Sequence, residues 1–128
     1  MAFAPFDITG KVALVTGGNG GIGLGFAKGI AAAGGNVVIW GTNESKNAAA
    51  LAELETFGTQ VAAMQCDVSD SEQVESCFDS VLADFGRVDG CFANAGIPGG
   101  GPHFDELPEE DWRRMMSVNL DGVYYTFK

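Results

Sequence analysis

The stretch Lys11-Val-Ala-Leu-Val-Thr16-Gly17-Gly-Asn-Gly-Gly-Ile-Gly23 joins a strand-like apolar run to a segment in which five of seven residues are glycine; a helical pattern follows. Glycines between a buried strand and a helix let the backbone come close to a pyrophosphate. The helix then aims its unpaired N–H groups and the positive end of its dipole at the same anion. A dinucleotide is the ligand that suits this arrangement. Two spacings fit the same residues. Gly18-x-Gly20-x-x-Gly23 matches the common dinucleotide fingerprint, and Thr16-Gly17-x-x-x-Gly21-x-Gly23 matches another. The first expects an acid at the end of the second strand, about 20 residues further on, to hold the ribose hydroxyls. Here the second strand-like run, Asn36-Val-Val-Ile-Trp40, leads into Gly41-Thr42-Asn43, and Glu44 reads as the start of the next helix.

Strand and helix patterns alternate outward from this point, which implies right-handed βαβ units and a parallel sheet. The first helix is expected to bury Phe26, Ala27, Ile30 and Ala31 and to end at Gly34-Gly35. A second, from about Glu44, uses Leu51 and Leu54, reaches Phe57 and stops at Gly58. A third strand over residues 61–66 leads to Asp67-Val68. Ser69 and Glu72 have capping-box spacing. Val74, Cys77, Phe78, Val81, Leu82 and Phe85 then follow the stripe of an amphipathic helix that stops at Gly86. A fourth strand over residues 88–93 runs into Asn94-Ala95-Gly96, and residues 98–102 read as a loop. Pro108 opens a last helix through Trp112, Met115, Met116, Asn119, Leu120 and Val123. The expected fold is α/β, a doubly wound parallel sheet with strand order 3-2-1-4. Strands 1 and 4 would be neighbours whose helices leave to opposite faces. That opens a crevice at their carboxyl ends, beside residues 17–23 and Asn94-Ala95-Gly96.

At 128 residues the chain makes one domain with a real core, and 46% hydrophobic against 19% charged residues marks it as globular. Seventeen acids against seven bases give a net charge of −10, which argues against nucleic acid or an anionic membrane as partner. Met1-Ala-Phe-Ala-Pro-Phe-Asp7 has neither a basic region nor a long apolar run, so neither a signal peptide nor a membrane span is expected. Residues 1–10 read as a lead-in and residues 11–128 as the domain. Cys66, Cys77 and Cys91 are odd in number and embedded in apolar segments. That pattern suits buried thiols in a reducing cytoplasm. No paired ligands stand at metal-binding spacing, and His103, in a Gly/Pro loop, is assigned no role.

Taken together, Thr16-Gly17-x-x-x-Gly21-x-Gly23, Asp67-Val68, Asn94-Ala95-Gly96 and Asn119 resemble the short-chain dehydrogenase/reductase family, in family order from Lys11 to Lys128. The resemblance implies a Rossmann fold and selects the Thr16-Gly17 spacing. It also implies that Gly17, Asn19, Gly21, Ile22 and Gly23 line the cofactor's phosphates and ribose. Asp67 would accept a hydrogen bond from the adenine amino group, with Val68 beside the ring. Asn94, Ala95 and Gly96 would border the nicotinamide-side ribose. Asn119 would be the family's helix asparagine, which holds a water in the proton relay. Cys91-Phe92-Ala93 precede Asn94, so the family's frequent double asparagine is half present. From the residues alone, Asp67 and Asn94-Ala95-Gly96 also fit ordinary turns. Asn119 falls on the apolar stripe of its helix, where a polar group needs a partner such as a backbone carbonyl or a water. The cofactor is NAD(P), with a lean to NADP. An acid at position 41 would favour NAD and an arginine at position 42 NADP, and Gly41 and Thr42 are neither. Thr42, Asn43 and Lys46 could still meet a phosphate.

Alcohol–carbonyl hydride transfer needs a proton donor or acceptor at the substrate oxygen. The resemblance assigns that task to a tyrosine with a lysine four residues on, and carbonyl polarisation to a serine on the preceding strand end. All three are expected beyond the helix that carries Asn119, so the 128 residues are expected to bind dinucleotide without turnover. Tyr124-x-x-x-Lys128 has the right letters but begins five residues after Asn119 on the same helix, and reads as helix surface or subunit contact. An incomplete sheet would leave strand 4 as an open edge, so self-association or a homo-oligomer is expected. Against an oxidoreductase stand a non-catalytic nucleotide-binding or assembly module and a flavodoxin-like α/β protein. The glycine loop after strand 1 speaks against the latter.

Overall fold

A computed structural model describes residues 4–101 and 103–128. The first three residues of the expected lead-in, and Pro102 of the expected loop, lie outside the described residues. Val12–Thr16 (β1) is buried along its whole length and is followed by Gly21–Ala32 (α1). Asn36–Gly41 (β2), Glu44–Glu55 (α2), Val61–Gln65 (β3), Ser71–Phe85 (α3) and Gly90–Phe92 (β4) continue the alternation. Glu109–Met116 (α4), a π turn over Ser117–Asp121 and Gly122–Phe127 (α5) form one interrupted helical stretch at the end. The four strands are parallel in the order β3-β2-β1-β4, as the sequence pattern implies.

The strand pleat sorts the core onto two faces. Ala13 and Val15 of β1 and Val37 and Ile39 of β2 pack against Ala27, Ile30 and Ala31 of α1 and Ala50 and Leu54 of α2. Leu14, Val38 and Trp40 point the other way, onto Cys66, Val68, Val74 and Val81, where Val118 and Tyr125 also join. Leu14, Val15, Val37, Val38, Ile39 and Trp40 are wholly buried. Each aliphatic member of that set is worth about 1.5–3 kcal/mol relative to exposure. Sheet packing, rather than helix propensity, therefore holds the segments that leave β1 and β4. Those segments diverge at the carboxyl ends of the two strands, where α1 goes to one face and the last helical stretch to the other.

Several local expectations are corrected. α1 turns Gly23, Ala27, Ile30 and Ala31 inward, while Phe26 is 41% exposed and lies against Phe92 with ring centroids 5.0 Å apart. α2 ends at Glu55 rather than reaching Phe57. The Thr56 hydroxyl donates to the Glu53 carbonyl at 2.7 Å, and the Phe57 and Gly58 amides fold back on Leu54 and Glu55. Its buried face is Asn47, Ala50 and Leu54, with Leu51 half-buried. β3 ends at Gln65 rather than Cys66, although the Cys66 amide still donates to the Gly41 carbonyl.

The cap of α3 is Asp70 rather than Ser69: Asp70 Oδ1 accepts from the Glu72 and Gln73 amides. Ser69 is already engaged, its amide and hydroxyl both donating to Asp67 Oδ1. Gly86, at φ +79°, closes this helix in the left-handed region. Leu82, expected on the stripe, is 41% exposed. β4 spans three residues instead of six because a side chain takes up a ladder donor at its start and the backbone turns away at its end. Asp89 Oδ2 accepts from the Val12 amide at 2.9 Å, and past Phe92 the Asn94 amide turns back on the Phe92 carbonyl. The last helix carries a π turn at Ser117–Asp121, and Leu120 is exposed there.

Candidate dinucleotide-binding cleft

The glycine loop is shaped by contacts that only some of its glycines require. Gly17 and Gly21 have φ of +64° and +53°, the left-handed region that L side chains avoid. A Cβ on Gly23 would overlap the Gly17 carbonyl oxygen and stand 2.5 Å from Asn94 Nδ2. Gly20, the N-cap of α1, has extended backbone, and a Cβ there would meet nothing within 4 Å. All three glycines of the Thr16-Gly17 spacing, Gly17, Gly21 and Gly23, are therefore required, whereas Gly20 of the other spacing is not. Gly18 is required as well, because a Cβ there would stand 2.5 Å from Ile39 Cγ2 and 2.9 Å from the Val15 carbonyl oxygen. It is small because the loop packs closely on β2 and β1.

Asn94, just after β4, and Thr16, at the end of β1, hold this loop from below. Asn94 Nδ2 donates to the Thr16 carbonyl at 3.1 Å and the Gly17 carbonyl at 3.4 Å. Thr16 Oγ1 accepts from the Ala95 amide at 3.0 Å and donates to the Phe92 carbonyl. Thr16 is fully buried, so its hydroxyl acts as a strut between the ends of β1 and β4.

Above these struts lies a cleft of about 440 Å³. Gly17, Asn19, Thr42, Asp67, Val68, Ala95 and Gly96, all expected at the ligand, line it together. Gly21, Ile22 and Gly23 stand in the first turn of α1 at its glycine-loop end, with Ile22 73% exposed. Asn94 sits beneath the loop rather than in the cleft wall. Asn119 is exposed instead of lying on a buried stripe. Its Oδ1 accepts from the Ile97 amide at 2.8 Å and its Nδ2 donates to the Ile97 carbonyl at 2.9 Å. That paired contact fastens the π turn to the segment leaving β4, and π turns recur at functional sites.

Asp67 realises its turn role, with Oδ1 engaged by Ser69, while Oδ2 has no donor among the described residues. Thr42, Asn43 and Lys46 form the wall at the end of β2, and Arg114, Ser117 and Val118 the wall on the last helical stretch. Lys28, Arg87 and Arg113 are ion-paired with Glu53, Asp89 and Glu109. Lys46 and Arg114 carry no ion pair among the described residues. In a chain of net charge −10, two uncompensated cations on one cleft favour an anion there. Cys66 also borders the cleft, and burial pushes its thiol up, so it stays neutral. Among the described residues no cluster of His, Cys, Asp and Glu could hold a metal ion, and no helix is long and apolar enough to cross a membrane.

Sequence reasoning missed Arg114, Ser117 and Asn47. Asn47 carried a readable signal: it shares an i, i+3, i+7 stripe with Ala50 and Leu54, and a polar residue on such a stripe must have partners. Tyr124, 60% exposed, does not line the cleft, and Lys128 borders a separate hollow against α3.

A family model described as short chain dehydrogenase matches residues 11–128. The probable NADP-dependent mannitol dehydrogenase of Yarrowia lipolytica is 37% identical over 124 residues, 96% of this chain and 45% of that protein. The 3-oxoacyl-[acyl-carrier-protein] reductase of Chlamydia pneumoniae is 38% identical over 122 residues, 94% of this chain and 49% of its own. The crystal structure of NAD+-bound xylitol dehydrogenase superposes with a TM-score of 0.91 at 34% identity, over 93% of this chain and 46% of that one. The chain thus spans less than half the length of these relatives.

Proposed function

Since the chain belongs to the short-chain dehydrogenase family, we propose that it is the dinucleotide-holding part of an NAD(P)-dependent oxidoreductase. The whole protein would transfer a hydride between the nicotinamide and a small alcohol or carbonyl compound. One observation carries this: glycine loop, Asp67-Val68 and Ala95-Gly96 meet at a single cleft whose cations, Lys46 and Arg114, are unpaired among the described residues. The donors suit the ligand. Asn19, Gly21, Ile22 and Gly23 present backbone N–H groups and a helix N-terminus to the pyrophosphate, while Gly17, whose own amide donates to the Trp40 carbonyl at 2.8 Å, turns the loop toward it. Asp67 Oδ2 is an acceptor for the adenine amino group, Val68 an apolar floor, and Ala95 and Gly96 a small-residue wall for the second ribose. Asn94 holds the loop. When bound, the nicotinamide supplies or takes the hydride. Asn119 fixes the segment beside it and belongs to the proton relay.

The ligand leans to NADP. Thr42, the Asn43 amide and Lys46 offer donors at the end of β2, whose own residues in the cleft wall carry no carboxylate, the acid in the wall being Asp67 after β3, and the Yarrowia relative is named NADP-dependent. The exposed placement of Tyr124 supports its exclusion from chemistry, so residues 11–128 act as one binding domain without turnover of their own. The cysteine pattern favours a reducing cytoplasm. The stacked Phe26–Phe92 pair at the β4 edge favours a homo-oligomer. Calorimetric titration with NADPH and NADH tests the proposal: heat with at least one, NADPH the tighter, is expected. A flat titration with both refutes it and returns the non-catalytic assembly module.

A further inference from the structure

Asn47 makes three side-chain hydrogen bonds from a buried position, and nothing in the binding scheme above uses it. It is 5% exposed. Its Nδ2 donates to the Gly41 carbonyl at 2.9 Å and the Met64 carbonyl at 3.4 Å, and its Oδ1 accepts from Asn19 Nδ2 at 2.9 Å. One amide on α2 therefore ties the ends of β2 and β3 to the glycine loop. A buried amide is costly to desolvate, and here every strong hydrogen-bonding atom of it is matched.

The clasp also occupies a particular space. A Cβ on Gly41 would overlap Asn19 Nδ2 and stand 2.5 Å from Asn47 Oδ1. Gly41 has no left-handed backbone, and the nearest atoms that a side chain there would meet belong to the two asparagines. Position 41 is where a carboxylate would bind a ribose diol and repel a 2′-phosphate. We propose that Asn47 is a positioning residue for cofactor choice: by holding Asn19 against Gly41 it closes that position to any side chain. The end of β2 is thereby kept free of negative charge, and a 2′-phosphorylated dinucleotide is accepted beside Thr42 and Lys46. Asn47 acts through Asn19 and touches no ligand itself. The inference rests on the cleft holding a dinucleotide.

The test is a cycle of Gly41→Asp, Asn47→Ala and the double variant, each titrated with NADH and NADPH by fluorescence and each melted. Gly41→Asp alone should weaken both dinucleotides and lower the melting point, because the new side chain meets an anchored clasp. With Asn47→Ala the Asn19 amide is free to swing aside. The double variant should then recover stability relative to Gly41→Asp and shift the NADH-to-NADPH affinity ratio at least about tenfold toward NADH. Asn19→Ala with Gly41→Asp should do the same, and carries the comparison if Asn47→Ala does not fold. Losses that equal the product of the single variants, with the ratio unmoved, overturn the role of Asn47 while leaving dinucleotide binding intact. Wild-type protein that binds neither dinucleotide overturns the underlying functional proposal, and this inference with it.

Discussion

Alanine substitutions at Gly20, Gly21 and Gly23 separate the two spacings that fit the glycine loop. At Gly23 the methyl would overlap the Gly17 carbonyl oxygen and stand 2.8 Å from the Gly17 carbonyl carbon. Backbone atoms cannot swing aside, so the cost lies at the upper end of small-to-large substitutions, about 3 kcal/mol. Gly23 is inside α1, and alanine recovers about 1 kcal/mol of helix propensity there. The net loss is about 2 kcal/mol, or a fall in melting temperature on the order of 8 °C. At Gly21 nothing crowds the methyl, but φ of +53° costs an L residue about 1 kcal/mol. At Gly20 the backbone is extended, φ −172° and ψ 170°, and the space is open. A weaker N-cap there, worth about 0.5–1 kcal/mol, roughly cancels the reduced entropy of the unfolded chain.

The expected order of destabilisation is Gly23 well above Gly21, with Gly20 within about 0.5 kcal/mol of wild type. Urea denaturation of the three variants reads it directly. A Gly20→Ala loss as large as that of Gly23→Ala, or a neutral Gly21→Ala, would mean that the loop follows the Gly18-x-Gly20 spacing instead. Dinucleotide titration adds an independent measure. Gly20→Ala should keep its fold and lose affinity, since its methyl enters the space open to the phosphates.

Lys46→Ala should weaken NADPH by about 1 kcal/mol, roughly fivefold, at low salt and leave NADH nearly unchanged; equal losses for both would remove Lys46 from any 2′-phosphate contact. Acid should unfold the protein through its caps and struts. Hydrogen bonds from the Gln73 side chain and amide hold the Asp70 carboxyl below its ordinary value of 3.8, and the Arg87 guanidinium with the Val12 amide does the same for Asp89. Both contributions are present above the unfolded value and disappear as pH falls through the folded ones, so stability should drop below about pH 4, and Asp70→Asn with Asp89→Asn should flatten that slope. At the other end, burial pushes the Cys91 thiol from 9.0 up to about 11, so stability should decline as pH rises across that interval, and Cys91→Ala should make the decline shallower, the raised Cys66 thiol supplying the rest. Phe92→Asp, placed at the β4 edge beside Phe26, should lower the mass seen in light scattering; an unchanged mass would locate self-association elsewhere.

What could be read from residues alone followed how many groups compete for each hydrogen bond. Strand order followed from the alternation of apolar runs and helical stripes read as a doubly wound sheet, and the two-faced core, with Val15 and Ile39 on one side and Leu14 and Val38 on the other, accords with it. The α3 cap was misplaced by one residue because Ser69 and Asp70 are both good caps. The outcome turned on Asp67, whose carboxylate claims the Ser69 amide and hydroxyl and leaves Asp70 to close the helix. The length of β4 turned in the same way on the Asp89 side chain, which takes up a ladder donor, and on the Asn94 amide, which turns back on the Phe92 carbonyl. Asn119 and Asn47 show the converse. Both are asparagines at apolar spacing on a helix, and the same premise applies to each: a polar group there must be satisfied. Asn119 meets it by leaving the buried face through a π turn and pairing with the Ile97 backbone. Asn47 meets it by staying buried and gathering three segments at Gly41. Spacing alone cannot separate the two outcomes, because the choice depends on whether backbone groups from other elements arrive at the site. For Asn47 they do, since β2 and β3 end there side by side beneath the glycine loop. The space at the end of β2 is therefore shaped by a residue outside every recognised motif.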